Sequence, residues 1–203
     1  MRTFTQLRFP PVPAPRPRPS HRAALLEAAA RLFDERGYHG TSIRDIARAT
    51  GVTPGAIYSH HASKADLLLA VYEEGVRRIA ERVEEAVARE ASPRARLGAA
   101  AEAHLETLLD GSAFASVVVR VLPRDVPEAE EQLVRLRDGY ERRFSRLVED
   151  LPGIEPRRRR ALRLALFGAL NASQIWYRPG KGQAPHTIAR RTVALMLGEG
   201  EDA

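Results

Sequence analysis

Between Ser42 and Tyr58, three residues stand at a telling spacing. Ala47 is small where two helices would cross closely. Gly51, four residues on, suits a left-handed turn, and Ile57, six further, is an aliphatic plug from the next helix. Small-x3-Gly-x5-aliphatic between two short helices is the spacing of a DNA-binding helix-turn-helix, whose second helix enters the major groove. Helical hairpins with a turn glycine also occur without DNA, so the spacing alone leaves both readings open. Other chemistry lacks its residues. The 203-residue chain contains no cysteine, which removes disulfides, thiol nucleophiles and cysteine-ligated zinc. No nucleophile–base pair, phosphate loop or metal-ligand cluster is recognisable. His60 and His61, adjacent at a helix start, point apart and have no third ligand. Neither an enzyme nor a metal site is expected.

The elements around this motif read as helices. Ser20 opens an amphipathic stretch carrying Leu25, Ala28, Ala29, Leu32 and Phe33, stopped by Gly37. Ser42, with Asp45 three residues on, makes a capping-box pattern for a second helix ending near Thr50-Gly51. Thr53 and Pro54 open a very short third one. Ser63 and Asp66 open a fourth, whose seam Leu68, Val71, Gly75, Ile79, Val83, Val87 runs to about Glu90. Further helices are expected from Pro93 to Gly111, over Phe114 to Leu122, from about Leu133 to Leu151, from about Arg157 to Tyr177, and from Pro185 to Leu197. The run Val117-Val118-Val119 favours a strand locally, but a lone strand has no partner. Pro123 to Pro127 reads as a loop. The fold class is therefore all-α: a three-helix helix-turn-helix domain over 20–64 and a helical domain over 65–203, about nine helices in all.

Charge separates the same regions. Residues 1–19 carry four arginines and no acid, residues 20–64 carry a net +2, and the remaining charges cancel, so the whole +6 lies in the first third. Such an asymmetry is the footprint of a polyanion-binding module. Six prolines between Pro10 and Pro19 forbid regular structure in the leader. It is either an unstructured extension or a basic arm (Arg8, Arg16, Arg18) reaching DNA. Neither a secretory core nor a run of about 18 apolar residues is present, and a cytoplasmic protein without membrane contact is expected.

Residues 22–69 resemble the TetR family of regulators. The run stands as Ala28-Ala29, Leu32-Phe33, Gly37-Tyr38, Thr41-Ser42, Ile46-Ala47, Gly51-Val52-Thr53-Pro54-Gly55-Ala56-Ile57-Tyr58 and Ser63-Lys64-Ala65-Asp66-Leu67-Leu68. One departure is His61, where the family usually has an aromatic. The resemblance implies an operator-binding homodimer, with no cofactor but a small-molecule effector in the C-terminal half. The DNA-facing set is then Thr41, Ser42, Arg44, Thr53, Pro54, Gly55, Ala56, Tyr58, His60 and Lys64. Gly55 lets backbone approach DNA, while Thr53 and Ala56 flank it towards base edges. Tyr58 offers a hydroxyl to phosphate, and Lys64 lies on a helix's first turn, where anions are favoured. Thr41 and Arg44 are placed to grip the backbone.

The C-terminal half is less legible. The stretch Ala161 to Leu170 is apolar nearly all round, so it must be buried on two sides. The last two long helices of TetR-family members usually form the dimer interface, so the resemblance implies a seam of Leu162, Leu166, Ala169, Leu170, Val193 and Met196. Polar residues among apolar ones, His104, Arg120, Asn171 and Gln174, are candidate effector contacts. A structural histidine and polar packing across a dimer are the alternatives. Trp176-Tyr177-Arg178-Pro179-Gly180 resembles a segment of TetR regulators of fatty-acid, phenylacetate and steroid catabolism, which commonly answer to acyl-coenzyme A thioesters. That adds Trp176 and Arg178 to the candidates. Arg77, Arg78 and Arg82 form a basic surface for its phosphates, or a solvated one. A repressor released by an acyl-CoA is the leading expectation. An efflux-type repressor sensing a hydrophobic drug and a nonspecific architectural DNA binder are the rivals.

Overall fold

The computed structural model describes residues 21–198; the leader over 1–19 and its arginine arm lie outside them. Among the described residues there is no strand. The helices are α1 (His21–Arg36), α2 (Ile43–Thr50), α3 (Pro54–Tyr58), α4 (Lys64–Val87), α5 (Pro93–Leu108), α6 (Ala113–Arg120), α7 (Glu130–Glu149), α8 (Pro156–Trp176) and α9 (Pro185–Leu197). The loop expected at Pro123 to Pro127 is instead two short 3₁₀ turns, Pro123–Asp125 and Pro127–Ala129. Prolines at their first positions set the backbone for such turns.

Local signals account for the helix starts. The Ser42 hydroxyl accepts from the Asp45 amide at 3.2 Å, and the Asp45 carboxylate accepts from the Ser42 amide at 3.2 Å. The Ser42 hydroxyl also donates to the Asp45 carboxylate at 2.5 Å, and that bond, with the one from the Ser42 amide, holds the Asp45 carboxyl below its ordinary range. Gly51 closes α2 at φ 71°, a conformation L side chains rarely adopt, and its amide returns to the Ala47 carbonyl. Thr53 and Ser63 cap α3 and α4 in the same way, accepting from the amides of Ala56 and Asp66.

Two hydrophobic cores result. The first joins Leu26, Phe33, Ile46 and Ile57 of α1–α3 to Leu67, Leu68, Val71 and Tyr72 of α4 and to Phe114 and Val117 of α6. The second gathers Ile79 and Val83 of α4 with Leu97, Leu105, Phe144, Leu166, Phe167 and Leu170 of α5, α7 and α8, and Val193 of α9. A single helix, α4, thus runs through both. Burial in the first core pushes the Tyr72 hydroxyl up to about 12. The valine run of α6 is helical because Phe114 and Val117 face one core while Ala115 faces the other. Tertiary burial overrides the local strand preference.

The α4–α6 crossing is close. A Cβ on Gly75 would lie 2.7 Å from Val118 Cγ2 and 2.8 Å from the Phe114 carbonyl oxygen. Beside it the Arg78 guanidinium stacks 4.0 Å over the Phe114 ring.

Candidate DNA-facing surface and effector cavity

Helix α3 turns only Ile57 inward, at 1% exposure, and leaves Thr53, Pro54, Gly55, Ala56 and Tyr58 in solvent. Gly55 is informative. A Cβ there would meet only Thr53 Oγ1, at 3.9 Å, so nothing inside the protein requires a glycine. Close approach by something outside is the remaining use. Ser42, Arg44 and His60 are exposed on the same helix-turn-helix unit. The Tyr58 hydroxyl is available to a phosphate from a half-exposed ring.

Two residues of the expected DNA-facing set are turned inward. Thr41 is 2% exposed, and its hydroxyl donates to the carbonyls of Leu32 and Gly37, both at 2.9 Å. It braces the α1–α2 connection rather than gripping DNA from the surface. The Lys64 ammonium donates to the carbonyls of Tyr38 and Thr41 at 2.8 and 2.9 Å and lies 4.1 Å from the Tyr38 ring centroid. An ammonium has three donors, and two are committed to the start of the helix-turn-helix. Its placement at a helix start suggested an anion, and in the fold carbonyls of the preceding turns take two of its donors. His61 occupies the aromatic's place by burial. It is 8% exposed with Nδ1 3.5 Å from Asp66, and burial lowers its pKa.

The candidate effector residues separate into three places. His104 is buried among Tyr140, Phe144 and Phe167, where it bonds Tyr140 and Asn171. It is a core group beneath the cavity rather than a lining one. Trp176 and Arg178 are exposed and border a separate pocket with Gln183 and Leu195 at the α8–α9 turn. The Arg178 guanidinium donates to the carbonyls of Tyr177 and Ile175. They do not share a pocket with the other candidates, since neither lines the cavity formed by Arg120, Asn171 and Gln174.

Arg120, Asn171 and Gln174 do come together. They line a cavity of about 710 Å³ with Leu108, Leu109, Ser112, Ser116, Val119, Ala172 and Ile175. Its volume lies within the range of small-molecule sites. Gln174 is steadied by a bond from its amide nitrogen to the Leu108 carbonyl at 3.3 Å. One wall was not foreseen: Asp34, from α1. The Asp34 carboxylate accepts from the Ser116 hydroxyl and from Arg120 at 3.1 Å. Nothing in the sequence pairs positions 82 and 86 residues apart.

Two of the three arginines of the α4 basic surface, Arg77 and Arg78, are already paired. Arg77 pairs with Glu74 and Glu81, and Arg78 with Glu74 and Glu27. These contacts, Arg77 first, lower the Glu74 carboxyl to about 2. The six residues of the expected dimer seam divide by burial. Leu166, Leu170 and Val193 are buried in the protomer's own core, while Leu162 and Met196 pack against it and Ala169 is only half-exposed. On α8 and α9 the large apolar side chains left in solvent are Leu164, Ile175, Trp176 and Leu195, at 50%, 78%, 55% and 77% exposure. Among the described residues, no three histidines or carboxylates group as metal ligands, and no helix is long and apolar enough to cross a membrane.

Residues 25–71 match the family described as bacterial regulatory proteins, tetR family, and residues 90–199 match the tetracyclin repressor-like C-terminal domain. The chain belongs to the TetR family. It is therefore a transcription regulator and not an enzyme. Among relatives of TetR type, the transcriptional activator FasR of Mycolicibacterium smegmatis is 27% identical over 183 residues, 90% of this chain and 84% of its own. The fatty acid metabolism regulator protein of Bacillus subtilis is 27% identical over 116 residues, 57% of this chain and 60% of its own. Of solved structures, AibR in complex with isovaleryl coenzyme A and operator DNA superposes with a TM-score of 0.74 at 25% identity, covering 86% of this chain and 96% of that one.

Proposed function

We propose that this TetR-family chain is a homodimeric repressor whose operator is released when an acyl-CoA occupies the cavity lined by Arg120, Asn171 and Gln174. The observation that carries the reading is that cavity. Leu108, Leu109 and Val119 suit an acyl chain, Asn171 and Gln174 suit a thioester or amide, and Arg120 suits phosphate. The named ligand of AibR and the fatty-acid relatives support the same ligand class. On the DNA side, α3 with Gly55, Ala56 and Tyr58 enters the major groove, and Ser42, Arg44 and His60 flank it.

The dimer joins through the face of α8 and α9 that carries Leu164, Gly168, Ile175 and Leu195. On α8 these recur at helical spacing, and exposed apolar patches of this kind mark interfaces. Two linked subunits then present two α3 helices to half-sites ~34 Å apart.

The test is binding of the purified protein to DNA from upstream of its own gene, titrated with acyl-CoAs of graded chain length and with hydrophobic cationic drugs. Repression by this route requires selective binding of that DNA, ~10³-fold over unrelated sequence, and its release by a thioester. Release by a drug alone reassigns the effector. Equal binding to all DNA removes the regulator's operator altogether.

A further inference from the structure

The cavity crosses the boundary between the two halves. Asp34 belongs to α1, next to the helix-turn-helix. Ser116 and Arg120 belong to α6, and Asn171 and Gln174 to α8. Asp34 and Arg120 also line a second cavity, on the far side, with Tyr38, His39 and Asp125. The pair therefore stands as a partition between the effector cavity and the α1–α2 connection. Its members are the charged groups on the effector-cavity wall, one of each sign, and they are spent on each other. The other polar groups there, Ser112, Ser116, Asn171 and Gln174, are neutral.

We propose that Asp34 is itself part of the effector site, and that an anionic ligand acts by taking Arg120 from it. This inference rests on the cavity being the effector site. Arg120 is 65% exposed at its side chain, so its guanidinium can turn towards the chamber without crossing packed core. A phosphate at the mouth offers the same forked acceptor geometry as the carboxylate, with more charge. Once Arg120 turns, Asp34 keeps only the Ser116 hydroxyl, and α1 loses an ionic tie to α6. Helix α1 packs on α6, α4 and α2, so a change in how Asp34 is held is felt where the helix-turn-helix is supported. The ligand's signal enters the DNA-binding half directly through a residue of that half.

The competition gives opposite signs for two conservative variants. Asp34→Asn removes the competitor and keeps a hydrogen-bond partner for Ser116, so isovaleryl-CoA or palmitoyl-CoA should bind at least ~5-fold tighter. Arg120→Gln removes the anion's partner, so the same thioesters should bind at least ~5-fold weaker. In both, the factor by which thioester changes operator affinity should shrink, since a coupling of ~5- to 150-fold needs both partners. Calorimetry for the thioester and fluorescence anisotropy for operator DNA read these on full-length protein, with thermal melting to check the fold. Thioester affinity of Asp34→Asn equal to wild type, with undiminished coupling, overturns the latch and leaves the effector reading intact. If wild type binds no thioester, the effector reading fails instead. The latch is then decided without ligand: it stands as a tie between the halves if Asp34→Asn shifts operator affinity ~5-fold, and falls if that affinity is unchanged. The exchanged pair Asp34→Arg with Arg120→Asp should return operator affinity towards wild type.

Discussion

His104 Nε2 lies 3.1 Å from Asn171 Oδ1, while its Nδ1 lies 2.7 Å from the Tyr140 hydroxyl. An amide oxygen only accepts, so Nε2 carries the proton, Nδ1 accepts, and Tyr140 donates. A neutral imidazole thus satisfies a buried network and leaves Asn171 oriented at the cavity wall. Burial pushes the His104 pKa down to about 4, and pushes the Tyr140 hydroxyl up.

The unfolded chain's His104 titrates near 6.5 and the folded one's near 4, so below 6.5 the unfolded state binds more protons. Stability from this group is complete above pH 6.5 and falls as pH drops towards 4, by up to about 3 kcal/mol. Thermal melting across that window should show the loss, and His104→Gln should flatten it. An unchanged slope in the variant places the acid sensitivity elsewhere.

Lys64 now predicts a different outcome from a phosphate contact. Lys64→Met leaves the Tyr38 and Thr41 carbonyls without their charged donor, at about 1–3 kcal/mol. The melting temperature should drop, and operator affinity should weaken with an unchanged salt slope. A slope lowered by about one unit, with stability intact, would show a lost phosphate contact instead.

Leu164→Glu and Leu195→Glu place charge on the exposed face of α8 and α9. Sedimentation should show folded monomers, and operator affinity should collapse because half-sites need linked subunits. Leu166→Glu should behave differently: the residue is 1% exposed in the protomer core, so the charge unfolds the chain. Dimers persisting in both surface variants would move the interface to another face.

Gly75→Ala tests the α4–α6 crossing. Helix propensity favours alanine by about 1 kcal/mol, whereas overpacking costs about 1–3 kcal/mol. Contact with the Phe114 backbone oxygen, which cannot rotate away, decides the sign. Denaturant unfolding should show net destabilisation; a gain in stability would mean that α6 moves freely on α4.

The sequence by itself determined the helices and the DNA-binding end. Capping pairs such as Ser42 with Asp45, the αL glycine Gly51 and the buried plug Ile57 act within a few residues, so local spacing carries their physics. Gly55 stands exposed on α3, as that local spacing leads one to expect. Thr41 and Lys64 were not, because nearby carbonyls claimed the polar atoms that spacing had left free. Tertiary structure alone decided which face of α8 is buried. A helix apolar nearly all round gives no preferred side, and Phe144, Leu105 and Val193 select Leu166 and Leu170 for the core, leaving Leu164 and Ile175 outside. It alone also brought Asp34 to Arg120 and Asn171 to His104. A carboxylate on one amphipathic helix has many possible cations, and only the packing of α1 on α6 chooses among them.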